Sequence, residues 1–547
     1  MLFKFKYKHS LLDTAGIGLI LLGGLLIRIY RIGEPFDGFQ AFNEGFYALL
    51  AKEYFKGSLL YPKTWNGEID YMVPPFHSYW IFLLNGLLGV SEAVDRWGSV
   101  IPNLLTLYGV YLLGEKLFNK RIGLIAASLL AFIPMNVLVG RNVQVDSTYI
   151  FFALTALYFY LKSLEAHEYR NKILSGLSLG LSLFSKQFAV LMYPSLILWE
   201  TCCRNQTGFT LRNGNLNWLN KKFFIFLGCS LIIPLPFYLY HILFNGAEFW
   251  RIQKLQGGIL GVPTLSLLKL HHAEIFWGFT PVIYFLGGIS IIWILLRRRQ
   301  EEVETFPAVS LLLILFGIYL IFYLSTHKHS YYVLMVAPIL SLLIGKFLHD
   351  QLKSSVLLGG VVILTLTSLF IFSLLTLAGN KYGYKSFKDM GNYLEGIEKN
   401  GYYLLAPGYI IGAYGPVIRY YAPSGILLNG DDPSFFQEET GELKIPESKP
   451  VYILEPFRSL SLPDRQAGHS PTKIFYNELW APILLGKAIY QRPVNHHFFA
   501  YGGIEVEDSA EFKILGLSKL GEWPVMSLTR LPEDVKIFRS KGDFAGK

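Results

Sequence analysis

The chain has 547 residues, of which 52% are hydrophobic, 16% aromatic and only 16% charged, with a formal net charge of +9. This composition excludes a single water-soluble globule, because charge-free runs that approach or exceed the roughly 20 residues needed to cross a bilayer core recur through the first 380 residues. The positive charge is what cytoplasmic Lys/Arg loops produce, and it is weak evidence for nucleic-acid binding. The three cysteines form no disulfide framework and no metal-spaced cluster.

The first apolar run follows Lys4, Lys6 and Lys8 and ends near Ile27 without a small-residue cleavage site. It predicts an uncleaved helix with a cytoplasmic N-terminus. Further spans are predicted at 76–90, 97–118, 122–140, 147–164, 173–185, 187–200, 223–243, 275–296, 307–325, 330–348 and 355–378.

Basic clusters mark the cytoplasmic side of the membrane and lie at 162–172, 204–222, 297–299 and 346–353. The loop 30–75, the segment 244–272 and everything after about residue 380 then fall outside. A cytoplasmic start and an external end require an odd number of crossings, so the twelve runs predict either eleven or thirteen spans. The miscount is expected between 76 and 200, where two short runs flank Lys186.

The predicted fold is a polytopic α-helical membrane protein with a C-terminal soluble α/β domain. Residues 1–380 form the multi-span part with its long external first loop, 30–75. From residue 381 to 547 the pattern changes to polar residues, turn dipeptides such as Asn429-Gly430, and short apolar runs. These features predict an external α/β domain.

The first external loop concentrates acids among aromatic residues, and loops of this length in compact proteins are usually functional. Residues 43–55 predict a helix lying on the membrane, with Phe46, Leu49, Leu50 and Tyr54 towards lipid or protein. Glu44 then lies in its first turn, where the helix dipole stabilises a carboxylate. A capping role without catalytic duty explains Glu44 equally simply.

Polar side chains beside apolar spans are the second signal, because a charge at mid-bilayer costs about 2.5–3.5 kcal/mol and needs a partner. Lys186 lies between two apolar runs and pairs with a bound anion or snorkels to the interface. Arg141 and Asp146 are spaced for a structural ion pair or an active role, and we favour a structural role for Asp146. The segment 325–334 brings imidazoles, Lys328 and phenols to the outer boundary, where they grip phosphate oxygens or anchor the chain.

Outward-facing carboxylates near cations at membrane depth suit a reaction on a lipid-linked anion. With a sugar on a polyprenyl phosphate, a carboxylate accepts the proton of the attacking hydroxyl while cations hold the departing phosphate. The sequence carries no Walker loop and no plausible dinucleotide fingerprint.

Several segments together resemble the C-type glycosyltransferases related to protein O-mannosyltransferases and lipid A aminoarabinose transferases. They are the acidic first loop and residues 71–80, 89–127, 140–147, 183–196 and 328–343. The resemblance covers roughly the first 350 residues. It implies an inverting enzyme with a polyprenyl-phosphate donor and a cavity that opens to the outer side of the membrane.

Carried over residue by residue, the family's Asp-Glu pair falls on Asn43-Glu44, followed by its tyrosine at Tyr47. Because an amide is no useful base, the resemblance moves that role to Glu44, then to Asp37, or to another acid such as Asp70. The Glu-Lys pair that serves metal and phosphate falls on Met72-Val73 and is lost. No metal ligand is therefore predicted and no cofactor is certain, although a divalent metal stays open.

The family's phosphate-binding lysines and tyrosine match Lys186, Lys328 and Tyr332, and Arg141 and His329 are further candidates. The predicted function is transfer of a glycosyl group to a hydroxyl of a lipid, glycan or protein on the outer face of the cell membrane. The expected partners are the lipid-linked sugar, that acceptor and the bilayer. Two alternatives are a transporter or flippase of lipid-linked sugars and a catalytically lapsed relative that only binds them.

Overall fold

The computed structural model describes residues 11–36, 41–57, 73–165, 168–202, 221–257, 265–297, 306–324, 330–352, 356–379, 385–406, 408–429, 449–456, 473–482 and 517–530. The chain forms two compact units. The first comprises Met1–Ile32 and Tyr71–Thr376, and the second comprises Gly33–Asp70 and Leu377–Lys547.

The described secondary structure of the first unit is helical, and its helices follow the predicted apolar runs. They are α1 (Leu11–Ile29), α3 (Phe76–Leu88), α4 (Glu92–Leu117), α5 (Lys120–Phe132), α6 (Pro134–Arg141), α7 (Val145–Lys162), α8 (Glu168–Leu183), α9 (Met192–Cys202), α10 (Lys221–Leu231), α11 (Leu235–Gly257), α12 (Leu265–Arg297), α13 (Phe306–Leu324), α14 (Val336–Leu352) and α15 (Val356–Gly379). Short 3₁₀ turns, Gln187–Leu191 and Ser330–Met335, precede α9 and α14.

Local sequence explains where several of these helices begin. The side chain of Ser91 accepts a hydrogen bond from the Val94 amide at 3.3 Å, and that of Asn119 accepts one from the Ile122 amide at 3.0 Å. These N-caps satisfy amide groups that the first turn of a helix leaves without partners. Pro134 occupies the first position of α6, where its missing N–H costs nothing.

Membrane-crossing character is clear in part of the first unit. Three helical segments are long and apolar enough to cross a bilayer: Gly278–Arg297, Phe306–Leu324 and Tyr332–Gln351. Two bent pairs, α5 with α6 at 68° and α10 with α11 at 57°, raise this number to five if each pair is one span. Among the described residues, length and composition thus identify three to five spans, and the count of eleven or thirteen stays a prediction.

Two glycines and one serine hydroxyl connect α4 to its neighbours in this unit. A Cβ on Gly114 would lie 2.4 Å from the Cα of Gly123, so α4 and α5 cross at backbone contact distance. The non-helical link after α6 is bonded to α4, since the Gln144 amide donates to Ser99 Oγ at 2.9 Å and that hydroxyl donates to the Gln144 carbonyl at 3.1 Å. Side-chain contacts therefore replace the missing helical hydrogen bonds.

The second unit contains a five-stranded mixed sheet. Its elements are α2 (Ala41–Glu53), α16 (Lys385–Ile397), β1 (Tyr402–Ala406), α17 (Gly408–Tyr421), β2 (Gly425–Asn429), β3 (Val451–Pro456), β4 (Lys473–Pro482) and β5 (Leu517–Arg530). The strand order is β2-β1-β3-β5-β4, with β1 parallel to β2 and β3, and β5 antiparallel to β3 and β4. The described residues of this region thus include both helices and strands, whereas an external, soluble α/β domain stays a prediction.

The first loop groups with the C-terminal residues, whereas the sequence analysis assigned it to the membrane part. The Phe36 amide donates to the Tyr421 hydroxyl at 3.1 Å, and the Phe36 ring lies 4.7 Å from that of Tyr420. Lys52 donates to the Tyr420 carbonyl at 3.3 Å, with its Nζ 3.2 Å from the centroid of the Tyr420 ring. Aromatic and cation–π packing on α17 accounts for the different division.

Candidate active site

Lys186 lies at the break between α8 and the 3₁₀ turn before α9, and it forms a buried ion pair. Its backbone is extended, with φ −153° and ψ 128°, so the side chain leaves the helical path there. Its Nζ lies 2.7 Å from Oδ1 of Asp146 in the first turn of α7. The lysine side chain is 11% exposed and the aspartate 2%. The predicted short runs on either side of Lys186 are therefore two helices joined by a charged turn.

Aromatic rings surround the ammonium group of Lys186. Its Nζ lies 4.3 Å from the ring centroid of Tyr332 and 5.1 Å from that of Phe188. The two rings meet edge to face at 4.8 Å. Two of the predicted phosphate-binding residues, Lys186 and Tyr332, are thus brought together, and ring faces stabilise the cation beside them.

The Lys186–Asp146 pair and the aromatic rings around it form a desolvated site that contains a cation but has no net charge. An ammonium taken out of water costs several kcal/mol unless an anion compensates it, and Asp146 supplies that compensation. The lysine keeps more exposed surface than the aspartate, so an incoming anion reaches the pair from the lysine side. Ammonium and phenol groups both belong to the donors that bind phosphate oxygens in proteins, and phosphate binding by Lys186 and Tyr332 stays a prediction.

Arg141 holds the end of α1. It is buried, and its Nη2 donates to the carbonyls of Tyr30 at 3.0 Å and Arg31 at 3.4 Å. Arg96 donates to the next carbonyl, that of Ile32, at 2.8 Å. Carbonyl groups at a helix C-terminus need donors, and positive charge there complements the helix dipole. Asp146 forms its ion pair with Lys186, a different partner from the one that its spacing from Arg141 allowed, and phosphate binding by Arg141 stays a prediction.

Glu44 belongs to the second unit, in the first turn of α2, and its side chain is fully buried. Tyr47 is buried one turn later and its ring packs edge to face on Phe46 at 5.4 Å. A Cβ on Gly45 would lie 2.8 Å from both the amide nitrogen and Cγ2 of Val417 in α17. The helix thus rests on α17 at backbone contact distance beside Glu44. The apolar side chains of this helix, Phe46, Leu49, Leu50 and Tyr54, are buried in protein, which is one of the two environments expected for them, and a location at the membrane surface stays a prediction.

Four candidates, Asp37, Asp70, Lys328 and His329, lie outside the described residues. Their roles stay predictions. Within the described part of the chain, no group of three or more His, Cys, Asp or Glu side chains is arranged to hold a metal ion.

The sequence analysis missed a buried polar network around Arg28. Its Nε donates to Asn103 Oδ1 at 2.7 Å, and Asn103 Nδ2 donates to Asn136 Oδ1 at 3.0 Å. Each residue lies in a different apolar run, and polar residues in such runs are the signal that identifies them. The pairing of Asp146 with Lys186 left no local signal, because 40 residues separate the two.

Comparisons with known proteins agree with this architecture. Residues 72–239, which include Asp146 and Lys186, match the family model described as dolichyl-phosphate-mannose-protein mannosyltransferase. The solved structure of ArnT from Cupriavidus metallidurans bound to undecaprenyl phosphate superposes with a TM-score of 0.64 at 13% identity, over 84% of this chain and 96% of that one. The apo oligosaccharyltransferase of Archaeoglobus fulgidus gives 0.55 at 14% identity, over 81% and 69%. The chain thus resembles the C-type glycosyltransferases in fold.

The resemblance recognised from the sequence is thereby confirmed at superfamily level. A curated relative from Wigglesworthia glossinidia brevipalpis, an undecaprenyl phosphate-alpha-4-amino-4-deoxy-L-arabinose arabinosyl transferase, is 26% identical over 196 residues. This stretch is 34% of the present chain and 33% of that relative, so the chain spans a third of its length. What the solved structures show for this chain is a similar fold.

Proposed function

We propose that the protein transfers a glycosyl group from a polyprenyl-phosphate sugar to a hydroxyl of a lipid, glycan or protein on the outer face of the cell membrane. The acceptor oxygen bonds to the anomeric carbon while the bond from that carbon to the phosphate oxygen breaks. The electron pair leaves with the polyprenyl phosphate, and the hydroxyl proton passes to a carboxylate. Attack opposite the leaving group inverts the anomeric carbon.

The observation that carries the proposal is the Lys186 site itself. A buried ammonium lies 2.7 Å from Asp146 and 4.3 Å from the Tyr332 ring centre, in a chain whose fold resembles that of the ArnT from Cupriavidus metallidurans bound to undecaprenyl phosphate. Lys186 and Tyr332 hold the donor phosphate and stabilise the charge that develops on it as the sugar leaves. Lys328, His329 and Arg141 are further phosphate ligands in this proposal.

Glu44 is the proposed base. Burial beside α17 fixes its carboxylate in position, in the first turn of α2 at the positive end of the helix dipole. A well-placed base contributes roughly 10²- to 10⁴-fold to the rate. Asp37 is the second choice for this role and Asp70 the third, and Tyr47 supports the position of Glu44 from the next turn.

Purified protein in detergent, incubated with radiolabelled undecaprenyl-phosphate sugars and a membrane extract, tests this function. Label that moves to a new product supports the transferase, and the Lys186→Met variant should lose the transfer. Lys346→Met removes another buried lysine, one paired with Asp350 at 2.8 Å, and should retain it. Donor binding without turnover would instead indicate a lapsed relative, and donor movement between vesicle leaflets a flippase.

A further inference from the structure

The Lys186–Asp146 pair carries no net charge, and this determines which phosphate it retains. Oδ1 of Asp146 lies 2.7 Å from the ammonium, and the buried Oδ2 accepts no hydrogen bond from the residues that the structure describes. The negative charge of this carboxylate therefore faces any phosphate that Lys186 binds. The argument for a role in phosphate selection rests on the proposed function, in which Lys186 contacts the donor.

The proposed reaction changes the charge of the phosphate. The donor is a phosphodiester with one negative charge, whereas the released polyprenyl phosphate is a monoester that carries two at pH 8, because its second pKa is about 6. Coulomb attraction grows with charge, so an isolated lysine binds the product more tightly than the donor. A site of that kind is blocked by its own product.

We infer that Asp146 is a specificity-determining residue that prevents Lys186 from retaining the dianionic product. The carboxylate repels the second charge of the monoester and so cancels much of the extra attraction that the neighbouring ammonium exerts on it. The single charge of the donor meets a smaller penalty, and the phenol of Tyr332 adds a hydrogen bond whose strength depends less on charge. Asp146 thus gives up part of the leaving-group stabilisation and speeds product release.

Equilibrium binding to the full-length protein in detergent at pH 8 tests the inference with two probes. One is undecaprenyl phosphate, and the other is its methyl phosphodiester, the same lipid limited to one charge. The wild type should bind both within about threefold. Asp146→Asn should shift the ratio toward the monoester by roughly tenfold, the effect of one nearby charge in a partly buried site. Asp350→Asn removes the same charge from the Lys346 pair and should leave the ratio unchanged.

Each other outcome is decisive. If Asp146→Asn weakens both probes equally, or changes neither, Asp146 only positions Lys186 or has no role in selection, and the inference fails while the proposed function stands. If that variant does not fold, the ratio of the two affinities in the wild type tests the inference. A preference of the wild type for the monoester above about tenfold then overturns it. A wild type that binds neither probe overturns both the inference and the proposed function.

Discussion

A double-mutant cycle on Lys186 and Asp146 measures how much the fold depends on this ion pair. The charges lie 2.7 Å apart, which corresponds to an attraction of about 6 kcal/mol at an effective dielectric constant of 20. Desolvation of the two ions offsets most of this attraction, so replacing both residues together is expected to be nearly neutral. Removing either one alone leaves a buried charge and costs about 3–5 kcal/mol.

The variants are Lys186→Met, Asp146→Leu and the double substitution, and the measurement is reversible unfolding in mixed detergent and SDS micelles. Because each single substitution costs about 3–5 kcal/mol and the double substitution is nearly neutral, we expect a coupling energy of about 6–10 kcal/mol, above the usual range of about 0.5–3 kcal/mol for residues in contact. The partly exposed pair of Lys222 and Glu168 is the matched control, since its side chains are 35% and 47% exposed. Its coupling should stay below about 1 kcal/mol. Single effects at Lys186 and Asp146 that add to within about 0.5 kcal/mol would refute the reasoning.

Three further variants test other parts of the structure. Glu44→Gln should leave thermal stability unchanged and lower transfer by roughly 10²- to 10⁴-fold at saturating donor, and wild-type turnover would remove Glu44 from the mechanism. Gly45→Ala places a Cβ 2.8 Å from the Val417 backbone and should destabilise the α2–α17 contact by about 1–3 kcal/mol in hydrogen exchange, whereas Gly396→Ala, with nothing within 4 Å, should not. Arg141→Met removes the charged donor from the carbonyls of Tyr30 and Arg31, directly after α1, and should cost about 1.5–3 kcal/mol of unfolding free energy; equal stability of variant and wild type would contradict that role.

The helices of the first unit were predictable because their apolar runs are long and their ends carry strong signals. Ser91 and Asn119 cap α4 and α5, and Pro134 begins α6, as local sequence predicts. The bend of 68° between α5 and α6 was not predicted, because both fall within one apolar run at 122–140. Hydropathy shows that a run is apolar, but it does not show where the helix axis bends within that run.

The candidate site was predictable in part for a related reason. Lys186 stands out as a charge between apolar runs, so sequence reasoning found it. Its partner Asp146 lies at a helix start, where a capping carboxylate is ordinary, and only the tertiary contact of α7 with the turn after α8 reveals the pair. The grouping of residues 33–70 with the C-terminal unit depends on Phe36, Lys52 and α17, contacts of more than 360 residues in separation that no local pattern records.

The hydroxyl of Ser99 that holds the link after α6 has a consequence for biogenesis. Ser99 of α4 accepts the hydrogen bond of the Gln144 amide and donates one to the Gln144 carbonyl. Without α4 beside it, the backbone at Gln144 would enter lipid with both polar groups unpaired. We therefore expect α4 to stay next to the translocon until α6 and α7 emerge, so that these three helices insert into the membrane together. Site-specific crosslinking of stalled nascent chains, with Ser99→Ala for comparison, would reveal the order of release.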